Sequence, residues 1–295
     1  MTLTTSSRER ADSLAEPPYG HRVARGTGTC VSTAVARGTS ADALAQLRSR
    51  RAELDNLDVQ LLIDLDDTLQ TNMKHFLESR ATIGPLLAAL DSQNRSLPEL
   101  LSLHEDASAA LYPQYGATPE RWQQATLQTA VVCAGRPLTV QEEAELLDAA
   151  LIATNLGELY PGVAETLQML VEAGVPLALV TKGYRPLQQA KIDAHGLGRF
   201  FDGHIAIVDH KDGGLLRELA SRFGFRSPLV IGDSAASDVA PAQAAGFPVV
   251  QIDRGVKAEV WKHERWDGGT APKVGSFCAA ILWLLDRAPA ADEVA

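Results

Sequence analysis

Basic charge is scarce in this chain: 27 lysines and arginines stand against 37 aspartates and glutamates, for a formal net charge of −10. That balance offers no basic footprint to a phosphate backbone, so no nucleic acid polymer is expected as a partner. Cysteine is scarce too. Cys30, Cys133 and Cys278 are odd in number, far apart and without a Cys-x-x-Cys pair. This argues against a disulfide framework and a thiolate metal site, and a reducing, cytoplasmic setting is the expectation. No apolar run reaches the roughly 18 residues of a membrane span, and the Arg-containing start lacks the apolar core of a secretory signal, so no membrane partner is expected. Residues 1–40 carry Arg, Ser and Thr as organelle transit peptides do, but Glu9, Asp12, Glu16 and Pro17-Pro18 weigh against that reading and a flexible tail is expected.

What is present is enough apolar material, 45% of 295 residues, for one large domain or two modest ones. Residues 41–55 repeat apolar positions at helical spacing, and 59–65 (VQLLIDL) form a short apolar run ending in carboxylates. From Asn72 to Leu159 the pattern is helical, with breaks expected at Ser96-Leu97-Pro98, at Pro113, at Gly116 to Pro119 and at Gly135-Arg136-Pro137. Beyond Tyr160-Pro161-Gly162, apolar runs at 175–180, 204–208, 228–232 and 248–252 alternate with helical segments. Runs apolar on both faces, separated by amphipathic helices, predict an α/β fold: a Rossmann-like, doubly wound parallel sheet. Its core is expected over 41–71 and 159–287, with 72–158 as an inserted all-helical cap over the carboxyl edge of the strands and 288–295 as a frayed tail.

Polar residues fall where those apolar runs end. Asp64 and Asp66 close the first, Thr181 follows the second, Lys211 comes just after the third and Asp233 follows the fourth. Alternation along a strand sends Asp64 and Asp66 to one side, where two carboxylates repel unless a cation or proton is shared. With Asp233 they make a hard oxygen site suited to Mg²⁺. Lys211 adds positive charge for a negative ligand, and the Thr181 hydroxyl can donate to it.

The stretches LLIDLDDTL, LVTKG, HKD and GDSAASD, spread over residues 60–252, resemble in order and spacing the four motifs of the haloacid dehalogenase-like (HAD) hydrolase superfamily. The Asp-x-Asp-x-Thr pattern resembles its phosphatase branch. The resemblance implies that Asp64 attacks phosphorus and that Asp66 protonates the leaving group and later activates water. It also implies that Asp64, the Asp66 backbone carbonyl and Asp233 hold Mg²⁺, that Asp238 supports the metal shell, that Lys211 steadies nucleophile and phosphoryl group, and that Thr181 supplies the hydroxyl of the second motif. General-acid work needs a protonated Asp66, and the Asp64 carboxylate is expected to raise its pKa. Asp67 stands where the family often has Gly, and its expected role is to help the turn. Because a cap covers the site, the expected partner is a small phosphorylated metabolite: a sugar phosphate, a phosphoglycolate-like acid or a nucleoside monophosphate.

Other residues read more plainly. His75 is expected to be a solvated helix residue, and the helix at Lys182–Phe201 to pack on the sheet in a structural role. Arg121 and Trp122 suit a grip on a base or anion, but a cap's own core explains Trp122 equally well. Gly26 and Gly28 follow no strand, too weak a basis for a nucleotide loop. Competing readings are a 2-haloacid dehalogenase, against which Asp66 speaks, a phosphotransferase or phosphomutase, and a non-catalytic regulatory protein, against which the full motif set speaks.

Overall fold

The computed structural model describes residues 39–255 and 271–287, all within one compact unit spanning Val35–Ala295. The expected tails at 1–38 and 288–295, Gly26, Gly28 and Cys30 lie outside the described residues. Thr39 and Ser40 are not tail: Thr39 caps α1 (Ser40–Ser49) through a reciprocal box with Asp42. The expected helix over 41–55 is therefore α1 followed by a tighter 3₁₀ turn, Arg51–Asn56.

Six strands form one parallel sheet: β1 (Leu61–Ile63), β2 (Leu177–Lys182), β3 (Ile205–Val208), β4 (Leu229–Gly232), β5 (Val249–Ile252) and β6 (Lys273–Val274), in the order β3-β2-β1-β4-β5-β6. Alternation splits β1 to β5 between two cores. Leu61 and Ile63 join Leu177, Leu179 and Ile231 on the face covered by α1, α6 (Val163–Glu172) and α10 (Phe277–Leu285). Leu62 joins Ala178, Val180 and Val230 on the face covered by α8 (Gly213–Arg222) and α9 (Ala240–Ala245). A sheet buried on both faces explains why its strands read as unbroken apolar runs. β6 went unrecognised because two residues carry no period.

Between β1 and β2 the chain builds an all-helical cap: α2 (Met73–Leu90), α3 (Leu97–Tyr115), α4 (Pro119–Ala134) and α5 (Val140–Leu151). The cap has its own apolar centre of Ile83, Leu87, Leu100, Trp122, Cys133 and Leu146. The expected break at Ser96 is a capping box with Glu99, but Pro113 lies inside α3 rather than breaking it, and Pro85 lies inside α2. Both helices bury one face in the cap, and that packing outweighs the lost backbone hydrogen bond. Among the described residues no helix is long and apolar enough to cross a membrane.

In this strand order the direction of winding reverses between β1 and β4, and an open parallel sheet leaves its crevice there, at the carboxyl edge. Asp64 continues β1, its amide donating to the Ile231 carbonyl at 2.9 Å, and Asp233 follows β4.

Candidate active site

The crevice is lined from below by Asp64, Asp66, Lys211, Asp233 and Asp238 and from above by cap residues including Phe76, Arg121 and Trp122, around a cavity of about 190 Å³. Thr181 lies behind the wall, 1% exposed, its hydroxyl accepting a hydrogen bond from the Gln188 side chain at 2.6 Å. Five of the six expected site residues therefore line one cavity, and the sixth is a hydrogen bond away from it.

Oxygens of Asp64, Asp233 and Asp238 lie within 4.8 Å of one another, and all three residues are buried. Lys211 donates to Asp64 Oδ1 and to Asp238 Oδ1, each at 2.6 Å, and Thr68 donates to Asp64 Oδ2 at 3.2 Å. Burial pushes the Asp64 carboxyl up to about 6; the Lys211 ammonium pulls the other way, and the Asp238 charge adds to the rise. Burial alone would lower the Lys211 amine, but the charges of Asp238 and Asp64 lift it above its ordinary value, so it stays cationic. Three convergent carboxylates are a hard-oxygen donor set of the kind that suits Mg²⁺. The Asp66 side chain is not part of this triad.

Local backbone geometry delivers these groups. After β4, Ser234 caps a single π-type turn, Ala235–Val239, that swings Asp238 back until its Oδ2 accepts from the Ser234 amide at 3.0 Å. A Cβ on Gly232 would collide with the Asp238 carboxyl, so the last residue of β4 has to be glycine. Asp67 adopts a left-handed conformation (φ 58°), and its carboxylate accepts from the amides of Asn72 and Met73 at 3.0 Å, tying the loop to the start of α2. The expected turn role of Asp67 holds, and the left-handed backbone accounts for glycine serving equally well there.

Asp66 departs from expectation. Lys191 on α7 (Arg185–Ala194) donates to both its oxygens, at 2.8 and 2.9 Å, with Gln188 at 3.1 Å and Gln70 at 3.0 Å completing the shell. Burial pushes the Asp66 carboxyl up, but the Lys191 charge and these hydrogen bonds outweigh it and hold the group below its usual range. Asp66 is thus ionised, not protonated by repulsion from Asp64. The helix read as structural packing supplies this shell. Gln188 and Lys191, three residues apart on one helical face, were the available signal.

His75 is also corrected. It is 8% exposed rather than solvated, with Nδ1 3.2 Å from Glu78. Trp122 belongs to the cap core, its ring edge-on to Phe76 and His104 and its Nε1 donating to Ser79 at 2.9 Å. Lys182 at the end of β2 and Gly183 after it line the cavity, with Lys182 Nζ donating to Ser237 at 2.9 Å.

Residues 60–246 match the family model of haloacid dehalogenase-like hydrolases. The chain belongs to the haloacid dehalogenase-like hydrolase family. It is similar to a phosphoglycolate phosphatase of Haemophilus influenzae, 37% identical over 109 residues covering 34% of this chain. There it spans about half of the relative, 47%. It is also similar to a glyceraldehyde 3-phosphate phosphatase of Methanopyrus kandleri, 28% identical over 66% of this chain and 84% of that protein. A phosphoserine phosphatase of Thermus thermophilus is 27% identical over 68% of this chain and 90% of its own length. The fold is shared with a haloacid dehalogenase-like hydrolase from Xanthomonas campestris, at TM-score 0.62 and 21% identity over 78% of this chain and 93% of that one.

Proposed function

We propose that this chain hydrolyses small phosphate monoesters through a phosphoryl group carried transiently on Asp64, with Mg²⁺ at the carboxylate triad. The observation that carries the reading is the meeting of Asp64, Asp233 and Asp238 within 4.8 Å beside the Lys211 ammonium, at the winding reversal of the sheet. The related phosphatases support the same reaction class.

Asp64, Asp233 and the Asp66 backbone carbonyl would hold Mg²⁺, and Asp238 would support them. When bound, the ion offsets charge on the phosphoryl oxygens. Asp64 forms a bond to phosphorus while the ester oxygen leaves, and Lys211 orients the Asp64 carboxylate through its short contact. The leaving oxygen needs a proton. Asp66 is ionised in the free protein, so the proton arrives with the substrate as its monoanion, whose second ionisation lies near pH 6, roughly as for a phosphorylated side chain. It passes to Asp66 and on to the leaving alkoxide. Asp66 then takes a proton from water, which attacks phosphorus and frees the Asp64 carboxylate and inorganic phosphate. Thr181, behind the cavity wall, accepts from Gln188 and so helps hold that side chain against Asp66. Division into two displacements lets one carboxylate serve twice.

A cavity of about 190 Å³ lies below the roughly 300–1,000 Å³ of sites for drug-sized ligands. That size favours an ester of a few carbons over a nucleoside monophosphate. The three-carboxylate donor set disfavours dehalogenation, which needs no metal. A cytoplasmic location belongs to the same proposal, with Cys133 and Cys278 free and buried. The test is phosphate release from a panel of small esters with Mg²⁺ and then with EDTA. Release abolished by EDTA supports the reading; release that persists at full rate refutes the metal's part in it.

A further inference from the structure

Phosphate chemistry occupies the floor of the cavity, but its roof carries a cation that this chemistry does not use. Arg121 lies in the first turn of α4 and lines the cavity together with Thr118 and Tyr112. Its guanidinium rests over the Tyr112 ring, 4.9 Å from the centroid. The Nε atom is buried without a hydrogen-bond partner, and no carboxylate forms an ion pair with it among the described residues. Elsewhere in the cap arginines face a carboxylate: Arg95 is paired with Asp91 at 2.7 Å, and Arg80, whose Nη1 also lacks a hydrogen bond, lies 4.0 Å from Glu105.

The setting is otherwise built for an anion. Thr118 is the residue before α4, yet its side chain caps nothing and its buried Oγ1 also lacks a partner. α4, 16 residues long, begins at this point with Pro119, and its dipole adds partial positive charge there. Leaving a partly buried guanidinium and a hydroxyl unpaired is costly in a folded protein. A ligand that supplies an oxyanion removes the cost.

We infer that Arg121 and Thr118 form a second anion subsite, which selects, among the small phosphate esters proposed above, those whose other end carries a carboxylate. This rests on the phosphatase reading for the ester and on the cap geometry for the acid. The cavity admits only a few atoms between the two ends, and the planar guanidinium fork matches a carboxylate in two parallel hydrogen bonds. The residue acts in recognition, not in the displacement, since Asp64 and Lys211 lie on the opposite wall.

The test compares ligands that differ in the carboxylate alone. Affinities of phosphonoacetate and methylphosphonate, neither of which turns over, are measured by calorimetry on the Mg²⁺-loaded wild type, Arg121→Met and Arg121→Lys. Phosphonoacetate should bind wild type about tenfold or more tightly than methylphosphonate, as expected for a charge-assisted pair. That preference should vanish in Arg121→Met and be partly kept in Arg121→Lys. In parallel, the ratio of kcat/KM for 2-phosphoglycolate to that for ethyl phosphate should fall in Arg121→Met by the same factor. Equal wild-type affinities for the two phosphonates overturn the subsite, and need no variant to fold. A wild type that prefers phosphonoacetate but hydrolyses neither ester keeps the subsite and overturns the phosphatase reading.

Discussion

In Lys191→Met the Asp66 carboxylate loses the cation that contacts both of its oxygens, at 2.8 and 2.9 Å. What remains are the neutral amides of Gln70 and Gln188. In the native protein Asp66 lies below its ordinary pKa. Its contribution to stability is therefore present above the unfolded value of about 3.9 and lost as pH falls through the folded one. In the variant burial dominates and the carboxyl moves above its ordinary value, so ionising it now costs stability as pH rises through the raised value. Breaking a buried pair costs about 3–5 kcal/mol. The Asp66 side chain is 20% exposed against 3% for Lys191, which favours the lower end of that range. Urea unfolding in EDTA at pH 8 should show a loss of about 3 kcal/mol, shrinking at pH 5, where Asp66 escapes by taking a proton. A loss equal at both pH values, or below about 1 kcal/mol at pH 8, would refute the assignment of Lys191 as the group that keeps Asp66 ionised.

Two further outcomes follow from the same geometry. Mg²⁺ binding requires Asp64 to be ionised, and burial pushes its pKa up to about 6. Calorimetric affinity should therefore weaken about tenfold between pH 7.5 and pH 5, and equal affinities would contradict the place of Asp64 in the donor set. Trp122, 3% exposed and hydrogen-bonded to Ser79, holds the cap together: Trp122→Ala should destabilise the protein by about 3–5 kcal/mol in urea unfolding, and a near-neutral result would contradict its core role.

Much of this site was legible in the sequence because a doubly covered parallel sheet announces its strands as apolar runs, and chemistry gathers where such runs stop. Asp64, Thr181, Lys211 and Asp233 were found that way, and the strand order brings their loops to one edge. Gln188 and Lys191 were missed because long polar side chains on a helix beside a sheet read as its solvated or packing face. Only the tertiary fold turns them toward Asp66. The state of Asp66 was misjudged for the same reason: local spacing revealed the neighbouring carboxylate, while the deciding cation lies 125 positions away. Pro85 and Pro113 stayed inside helices because cap packing overrode a local rule; the sequence suggested an anion grip for Arg121, and the structure adds its place on the cavity wall with Nε lacking a hydrogen-bond partner.

Turnover by Asp64→Asn bears most directly on the account. The substitution preserves shape and one of the two acceptors that Lys211 and Thr68 use, but removes the carboxylate nucleophile. With the fold verified by its unfolding curve, phosphate release in Mg²⁺ should fall by roughly 10⁴-fold or more relative to wild type. Release at the wild-type rate would contradict covalent catalysis at Asp64.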